Sequence, residues 1–269
     1  MEKIRNQAIG VFDSGLGGLT VVKELNRYLP HEDIVYFGDT ARVPYGTKSK
    51  ESIIRFSIDN TKVLLKHHVK CIVVACNSSS SYALGALEQK FSLPILGVIE
   101  PGAKKAAAST RNMRIGIIAT TATVKSGKYE LAINKINNRI KTFSQACPLF
   151  VPIVEEGWLD KKITKDIIKE YLTPLLAKKI DTLILGCTHY PLLKAAIRKV
   201  VGKEMLLVDS AREVSCMLEG MFNAHQIEKS KFNRKRKIKF LVSDKPQEFK
   251  KIAKRFLGAD IKKITKINI

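Results

Sequence analysis

Two cysteines stand directly after short apolar runs, where a thiol can carry chemistry. Cys76 follows the run at 71–75, and Cys187 follows the run at 183–186. Runs of this kind, without polar alternation, are typical of parallel strands covered on both faces. Because open parallel sheets place their sites outside the carboxyl ends of their strands, we expect both thiols to line a crevice. Polar residues come next in both places: Asn77 and Ser78 after the first cysteine, Thr188 and His189 after the second.

A thiolate is a base as well as a nucleophile, so the two cysteines have two candidate uses. Each stands just before a predicted helix, whose N-terminal dipole we expect to lower the thiol pKa. A cysteine hydrolase needs a separate His and Asn pair, and the sequence offers no convincing one. One thiol on each face of a substrate instead suits proton removal from one side and proton return from the other. That pair of steps inverts a stereocentre.

The elements that position these residues follow a repeated pattern of strands and helices. A first strand at Ala8–Asp13 runs into the glycine turn 14–18 and then into an amphipathic helix. The turn has neither the G-x-G-x-x-G spacing of a dinucleotide site nor a P-loop lysine, so it predicts either an anion cradle or tight packing. The alternation as a whole predicts a doubly wound α/β fold. Further strands are expected at 33–38, 71–75, 94–99, 115–121, 183–186 and 238–243, and helices at 49–67, 80–89, 210–225 and from 244 onward.

Two pairs of segments echo each other at nearly the same distance along the chain. Residues 115–121 resemble residues 9–15, and residues 186–187 resemble residues 75–76. The echo predicts two homologous α/β halves that each present one cysteine. In such a pair the strand ends face each other across the cleft between the halves, where pockets are common.

The composition of the 269 residues is that of a globular chain, 45% hydrophobic and with a formal net charge of +22. Residues 229–269 carry 15 Lys and Arg against 3 Asp and Glu, but only 234–237 form a dense basic cluster, and aromatic residues are sparse there. This pattern favours a solvated lysine-rich face, and a nucleic acid partner is not expected. Five cysteines without a CxxC pair predict free thiols. The lack of a long apolar run predicts a cytoplasmic protein with no membrane partner.

Four sequence blocks together resemble the signature blocks of the glutamate racemase family. The blocks are 13–18, 38–46, 75–77 and 186–191, and the segments 209–211 and 242–244 are also similar to the family. The resemblance covers nearly the full chain. It implies an α/β fold of two pseudo-symmetric Rossmann-like domains with parallel sheets and an active site in the interdomain cleft. The implied first domain is 1–98 plus 211–269, with Asp13 and Cys76, and the second is 99–210, with Cys187 and His189.

The same resemblance implies an activity and its partners. The expected reaction is the cofactor-independent racemisation of L-glutamate to D-glutamate by two cysteines, which supplies D-glutamate for peptidoglycan synthesis. No metal and no cofactor are expected, and the active form in this family is commonly a homodimer.

Individual residues match the family's functional positions. By this analogy Cys76 deprotonates D-glutamate and Cys187 deprotonates L-glutamate. Asp13 and His189 match the positions that assist the thiols, and Glu155 matches a further acidic helper, although Glu156 competes for that role. The family's usual threonine after Cys-Asn is Ser78 here, which keeps a hydroxyl. The implied substrate contacts are Asp13, Ser14, Tyr45, Gly46, Asn77, Ser78, Thr188 and His189, with Thr120 and Thr123 as weaker candidates.

Other interpretations remain open from the sequence. A racemase for aspartate or another amino acid would carry the same pair of thiols, and a nucleic-acid-binding protein on an inactive scaffold would use the basic tail. A glycine-loop phosphate binder lacks its lysine. Cysteine is among the most buried residue types, so Cys71, Cys147 and Cys216 are expected in the core, and Trp158 is expected to pack there too.

Overall fold

Two parallel β-sheets form the frame of the molecule. The computed structural model describes residues 6–231 and 236–269. Its strands are β1 Ala8–Asp13, β2 Ile34–Gly38, β3 Val69–Val74, β4 Ile95–Gly97, β5 Arg114–Ala119, β6 Lys141–Ala146, β7 Thr182–Gly186, β8 Leu206–Asp209, β9 Ile238–Val242 and β10 Ile264–Lys266. Within the described residues the first sheet has the order β10-β9-β2-β1-β3-β4, and the second has the order β6-β5-β7-β8. The predicted α/β class with parallel sheets is therefore confirmed.

Helices connect and cover these strands. They are α1 Leu19–Tyr28, α2 Lys50–Leu65, α3 Asn77–Tyr82, α4 Leu84–Lys90, α5 Ile99–Ser109, α6 Thr121–Lys125, α7 Lys128–Ile136, α8 Phe150–Glu155, α9 Lys162–Leu176, α10 Lys194–Val201, α11 Ser210–Asn223 and α12 Pro246–Leu257. Short 3₁₀ helices occupy Tyr45–Thr47 and Tyr190–Leu193. Every residue of β3 and β7 is buried, because helices cover both faces of each sheet.

The internal echo of the sequence is a structural repeat. The order β2-β1-β3-β4 within the first sheet recurs as β6-β5-β7-β8 in the second. The registers agree as well: Phe12 pairs with Val74 in one half, and Ile118 pairs with Leu185 in the other. Val74 lies two residues before Cys76, and Leu185 lies two residues before Cys187. The two cysteines therefore occupy equivalent places at the carboxyl ends of equivalent strands.

The C-terminal segment returns to the first sheet, as the family resemblance implies. Strand β9 pairs with β2, and β10 pairs with β9, both in parallel. Two residues of the basic cluster at 234–237, namely 234 and 235, lie outside the described residues. Arg236 points inward and donates hydrogen bonds to the carbonyl oxygens of Asn26 and Pro30. At least this part of the cluster is used within the fold rather than presented to a partner.

Some predicted element bounds were wrong near the first cysteine. The helix predicted at 80–89 is two helices, α3 and α4, and α3 already begins at Asn77. Serine hydroxyls that bond to nearby backbone carbonyls compete with a continuous helix: Ser80 donates to Val74 and Ser81 to Asn77. The strand predicted at 94–99 is reduced to β4, since α5 begins at Ile99.

Two expectations about burial were also wrong. Cys71 and Cys147 are buried as predicted, but Cys216 is exposed on α11. Trp158 is 41% exposed, and the ammonium of Lys161 lies 4.3 Å from its ring centroid. No helix among the described residues is long and apolar enough to span a membrane.

Candidate active site

The carboxyl ends of both sheets open onto one cavity of about 330 Å³. Cys76 and Cys187 both line it, and each is only 6% exposed. The cavity walls bring together segments that are far apart in the chain. Its lining residues are Ser14, Val43, Pro44, Tyr45, Gly46, Thr47, Cys76, Asn77, Ser78, Thr120, Thr121, Pro148, Val151, Pro152, Glu155, Cys187, Thr188 and His189.

Cys76 follows the end of β3 and occupies the N-cap position of α3, without a side-chain capping hydrogen bond. Its thiol lies 3.7 Å from the Oγ atom of Ser14. Burial, reinforced by the nearby charge of Asp13, raises the pKa of Cys76 to about 11. The expectation that the helix dipole lowers this pKa was wrong, because α3 has only six residues and desolvation outweighs its dipole. Cys76 is therefore a protonated thiol at neutral pH.

Cys187 belongs to a chain of three groups. The Sγ atom of Cys187 lies 3.9 Å from Nδ1 of His189, and Nε2 of the same ring lies 3.0 Å from Oε1 of Glu155. Burial disfavours the imidazolium, but the hydrogen bonds to Cys187 and Glu155 outweigh it and raise the pKa of His189 to about 10. The ring therefore carries a proton at neutral pH and can pass it to the sulfur. Of the two candidate helpers, Glu155 contacts the ring, whereas Glu156 is exposed to solvent.

Asp13 lies behind the wall rather than on it. It is completely buried, and its carboxylate accepts hydrogen bonds from Gly15 N at 3.0 Å and from the Thr188 hydroxyl at 3.4 Å. Burial raises the pKa of Asp13, while the positive charge of His189 and the neighbouring N–H groups oppose that rise. Asp13 is not among the residues that line the cavity. The geometry therefore makes it a hydrogen-bond partner of Thr188 and a charge near Cys76 and His189, not a wall contact.

The glycine turn after β1 is needed for close approach between the two halves. A Cβ atom on Gly17 would lie 2.1 Å from Oγ1 of Thr188 and 2.5 Å from Nδ1 of His189. The turn thus packs directly against the residues that follow Cys187. Of the two sequence interpretations of this turn, tight packing fits the structure.

Hydrogen-bonding groups from both halves meet beside Cys76. The Ser78 hydroxyl lies 3.0 Å from that of Thr120 and 3.4 Å from that of Thr123. The side-chain oxygen of Asn77 accepts a hydrogen bond from the Tyr129 hydroxyl at 2.8 Å. The Asn77 Nδ2 atom is buried and finds no hydrogen-bond partner among the described residues. A buried unpaired donor in a cavity wall indicates a ligand acceptor.

The wall at Tyr45 and Gly46 is held by a polar network outside the cavity. The Tyr45 hydroxyl donates to the Asp39 carboxylate and accepts from Nδ2 of Asn60 at 3.1 Å. Arg42 binds the same carboxylate at 2.6 Å. The phenol of Tyr45 is therefore engaged by the protein, which leaves its ring and the Gly46 backbone as the surfaces that face the cavity.

The cavity is lined by most of the sequence-predicted site residues; Asp13 and Thr123 are not among its lining residues. Sequence reasoning missed Tyr129 and the apolar lining residues Val43, Pro148, Val151 and Pro152. Tyr129 carried no local motif, since it stands in the first turn of helix α7 in the other half. Only the packing of the two halves brings it to Asn77.

A family model described as Asp/Glu/Hydantoin racemase matches residues 9–214. The chain belongs to the Asp/Glu/Hydantoin racemase family. The match covers strands β1 to β8, both cysteines and the His189 motif. The resemblance noted in the sequence blocks is confirmed, and this racemase is an isomerase of amino acids by family.

Known racemases agree with this assignment in sequence and in structure. The glutamate racemase of Geobacter metallireducens is 45% identical over 98% of this chain and 97% of its own length. A solved glutamate racemase isoform from Bacillus anthracis has a TM-score of 0.94 at 38% identity and covers 98% of both chains. The Francisella tularensis glutamate racemase in complex with D-glutamate has a TM-score of 0.91 at 38% identity, again with 98% of both chains covered.

Within residues 6–231 and 236–269, the racemase has no group of three or more His, Cys, Asp and Glu side chains arranged to hold a metal ion. The acid and base groups that line the cavity are the two thiols, His189 and Glu155.

Proposed function

We propose that this racemase interconverts L- and D-glutamate by two-base proton transfer between Cys76 and Cys187, without a cofactor. The observation that carries the proposal is the placement of two thiols at equivalent strand ends, one from each half, on one cavity. The relatives named glutamate racemases, one of them solved with D-glutamate, support glutamate as the substrate. D-Glutamate made in the cytoplasm would serve peptidoglycan synthesis.

The protonation states of the free protein suit the L-to-D direction. Cys76 holds its proton, since burial raises its pKa to about 11. On the other side, the Sγ atom of Cys187 lies 3.9 Å from Nδ1 of His189, whose raised pKa of about 10 keeps the ring protonated. When the Cys187 thiolate removes the α-proton of L-glutamate, Cys76 returns a proton to the opposite face of the carbanion. The product is D-glutamate, with Cys187 now a thiol and Cys76 a thiolate, and the D-to-L reaction runs these steps backwards.

The difficult step is the loss of a proton beside an ionised carboxylate. Donors that face the developing charge lower its energy most when they are fixed in advance and shielded from water. The unpaired Asn77 Nδ2 atom and the hydroxyls of Ser78, Thr120 and Thr123 form such a set next to Cys76. We propose that they bind the α-carboxylate, while the apolar lining residues of the cavity limit the entry of water.

The test follows racemisation in the wild type and in three cysteine variants. L-Glutamate is incubated with each protein and the optical rotation is recorded, with L-aspartate as a parallel substrate. We expect Cys76→Ala and Cys187→Ala each to lose about 10²- to 10⁴-fold in rate, the range for removal of an acid–base group. Cys216→Ala is the matched control, because that cysteine is exposed on α11, and it should keep full activity.

Two results would contradict the proposal in different ways. Racemisation at the wild-type rate in either Cys76→Ala or Cys187→Ala would rule out the two-thiol mechanism. Racemisation of aspartate alone would keep the mechanism and change the substrate. We also propose a homodimer, to be tested by sedimentation equilibrium of the purified protein.

A further inference from the structure

The last helix of the chain touches the acid–base chain of the opposite half. Helix α12 connects β9 to β10 and so belongs to the first sheet by topology. Its final turn nevertheless carries Arg255 and Phe256 against Glu155 and His189, which come from the second half. The two halves are therefore joined at the residues that serve Cys187.

Arg255 fixes the end of the helix that presents Glu155. Its Nη1 atom donates to the carbonyl oxygen of Glu155 at 2.6 Å and to that of Val154 at 3.2 Å. Both carbonyls lie at the C-terminal end of helix α8, where carbonyl groups lack intrahelical partners; that of Val154 also accepts from the backbone N–H of Gly157. A guanidinium at a helix C-terminus also complements the helix dipole.

The backbone after Glu155 is shaped to admit this guanidinium. Gly157 has a φ of +76°, and a Cβ atom there would lie 2.5 Å from Nη2 of Arg255. A side chain at Gly157 would displace Arg255 as well as strain the backbone. The turn at Gly157 and the side chain of Arg255 therefore pack closely together between the two halves.

Phe256 restrains the imidazole from another direction. Its ring packs edge-on against that of His189, with centroids 5.3 Å apart and planes at 88°, and it is 1% exposed. Edge-to-face pairs of this geometry are favourable and directional. Glu155 therefore contacts Nε2 of His189, and the Phe256 ring packs against the imidazole ring. The Nδ1 atom of His189 faces Cys187.

We infer that Arg255 and Phe256 are positioning residues that hold Glu155 and His189 in line with Cys187, so that the C-terminal helix of one half completes the proton-transfer chain of the other. This inference rests on the proposed function. It assigns a role to the C-terminal segment that neither its charge nor its sheet topology indicates.

The test compares Arg255→Met with Lys254→Met, a matched control on the same helix. Lys254 pairs only at the surface, with Asp260. We expect Arg255→Met to lower kcat by about 10- to 100-fold with KM changed less than twofold, the scale expected when a catalytic group is misplaced by about 1 Å. Lys254→Met should match the wild type, and Arg255→Lys, which keeps a donor, should recover much of the loss.

A double-mutant cycle separates positioning from a general structural effect. Because Arg255 is inferred to act through Glu155, Arg255→Met should cost nothing further in a Glu155→Gln background. Losses in kcat that multiply in the double variant would overturn the inference. Equal effects of Arg255→Met and Lys254→Met on kcat would overturn it as well. Phe256→Leu should behave like Arg255→Met while the protein remains folded by circular dichroism.

An NMR arm tests the inference without relying on racemase activity. The imidazole signals of His189, assigned with His189→Asn, report its titration in the wild type and in Arg255→Met. We expect His189 to lose its proton at lower pH in Arg255→Met, because Glu155 no longer faces Nε2. An unchanged titration would overturn the inference, whereas inactive wild-type protein with the expected titration change would refute only the proposed function.

Discussion

Replacing Asn77 by alanine tests the substrate-binding wall most sharply. The Asn77 Nδ2 atom is a buried donor with no partner among the described residues, and the Tyr129 hydroxyl donates to the amide oxygen and so fixes the orientation of the amide. Burial raises the pKa of Tyr129, which keeps this phenol a donor across the accessible pH range. We therefore expect Asn77 to donate to a substrate carboxylate.

The magnitude follows from the charge of the acceptor. A hydrogen bond to a charged group is worth about 1.5–3 kcal/mol, and about 1.4 kcal/mol corresponds to a tenfold change in affinity. Asn77→Ala should therefore weaken glutamate binding by about 10- to 100-fold. Tyr129→Phe keeps the amide but frees it to turn, so its effect should be smaller and in the same direction.

Isothermal titration with glutamate measures this effect, with kinetic KM as a second reading. Asn134→Ala, an exposed asparagine on α7 outside the cavity, is the control and should bind like the wild type. Glutamate affinity within twofold of the wild type in Asn77→Ala would refute the assignment of Nδ2 to the substrate carboxylate.

Three further variants probe the surroundings of the site. Asp13→Asn removes a charge that raises the pKa of Cys76, so alkylation of Cys76 by iodoacetamide should begin at lower pH than in the wild type. Gly17→Ala should lower the free energy of unfolding in urea by about 1–3 kcal/mol, because its Cβ overlaps the opposite half. Lys70→Met leaves the buried Glu32 carboxylate without its 2.7 Å ion-pair partner and should cost about 3–5 kcal/mol in the same assay.

Each of these variants has a result that contradicts its premise. An unchanged alkylation profile in Asp13→Asn would mean that the Asp13 charge does not act on Cys76. A Gly17→Ala protein as stable as the wild type would show that the turn relaxes without effect. A Lys70→Met protein with wild-type stability would show that the Glu32 carboxylate is satisfied by its other hydrogen bonds.

The repeat and the two thiols could be predicted from the sequence because their signals lie in short, continuous stretches of the chain. Buried parallel strands appear as unbroken apolar runs, and the polar residues after each run mark the strand end. The echo between the two runs then predicted equivalent halves, which the matching registers of β3 and β7 confirm. Strand β6 escaped notice because it is an edge strand with polar, partly exposed residues.

The contacts between the halves could not be predicted in this way. Tyr129, Arg255 and Phe256 reach the site from helices that are distant in the chain, and their own neighbours in sequence carry no motif. The pKa of Cys76 was predicted in the wrong direction because the sequence shows the helix but not the depth of burial. Cys216 and Trp158 were placed in the core by residue type alone, but Cys216 is exposed on helix α11 and Trp158 is exposed in the loop between α8 and α9.

The isotope content of the first product tests the central claim most directly. L-Glutamate is incubated with the protein in deuterated water, and both enantiomers are recovered after a few per cent of conversion. Two bases predict that the D-glutamate carries deuterium at its α-carbon while the remaining L-glutamate keeps its proton. A single shared base would place deuterium in L-glutamate as fast as in the product, or return the original proton to it, and either pattern would contradict the two-thiol account.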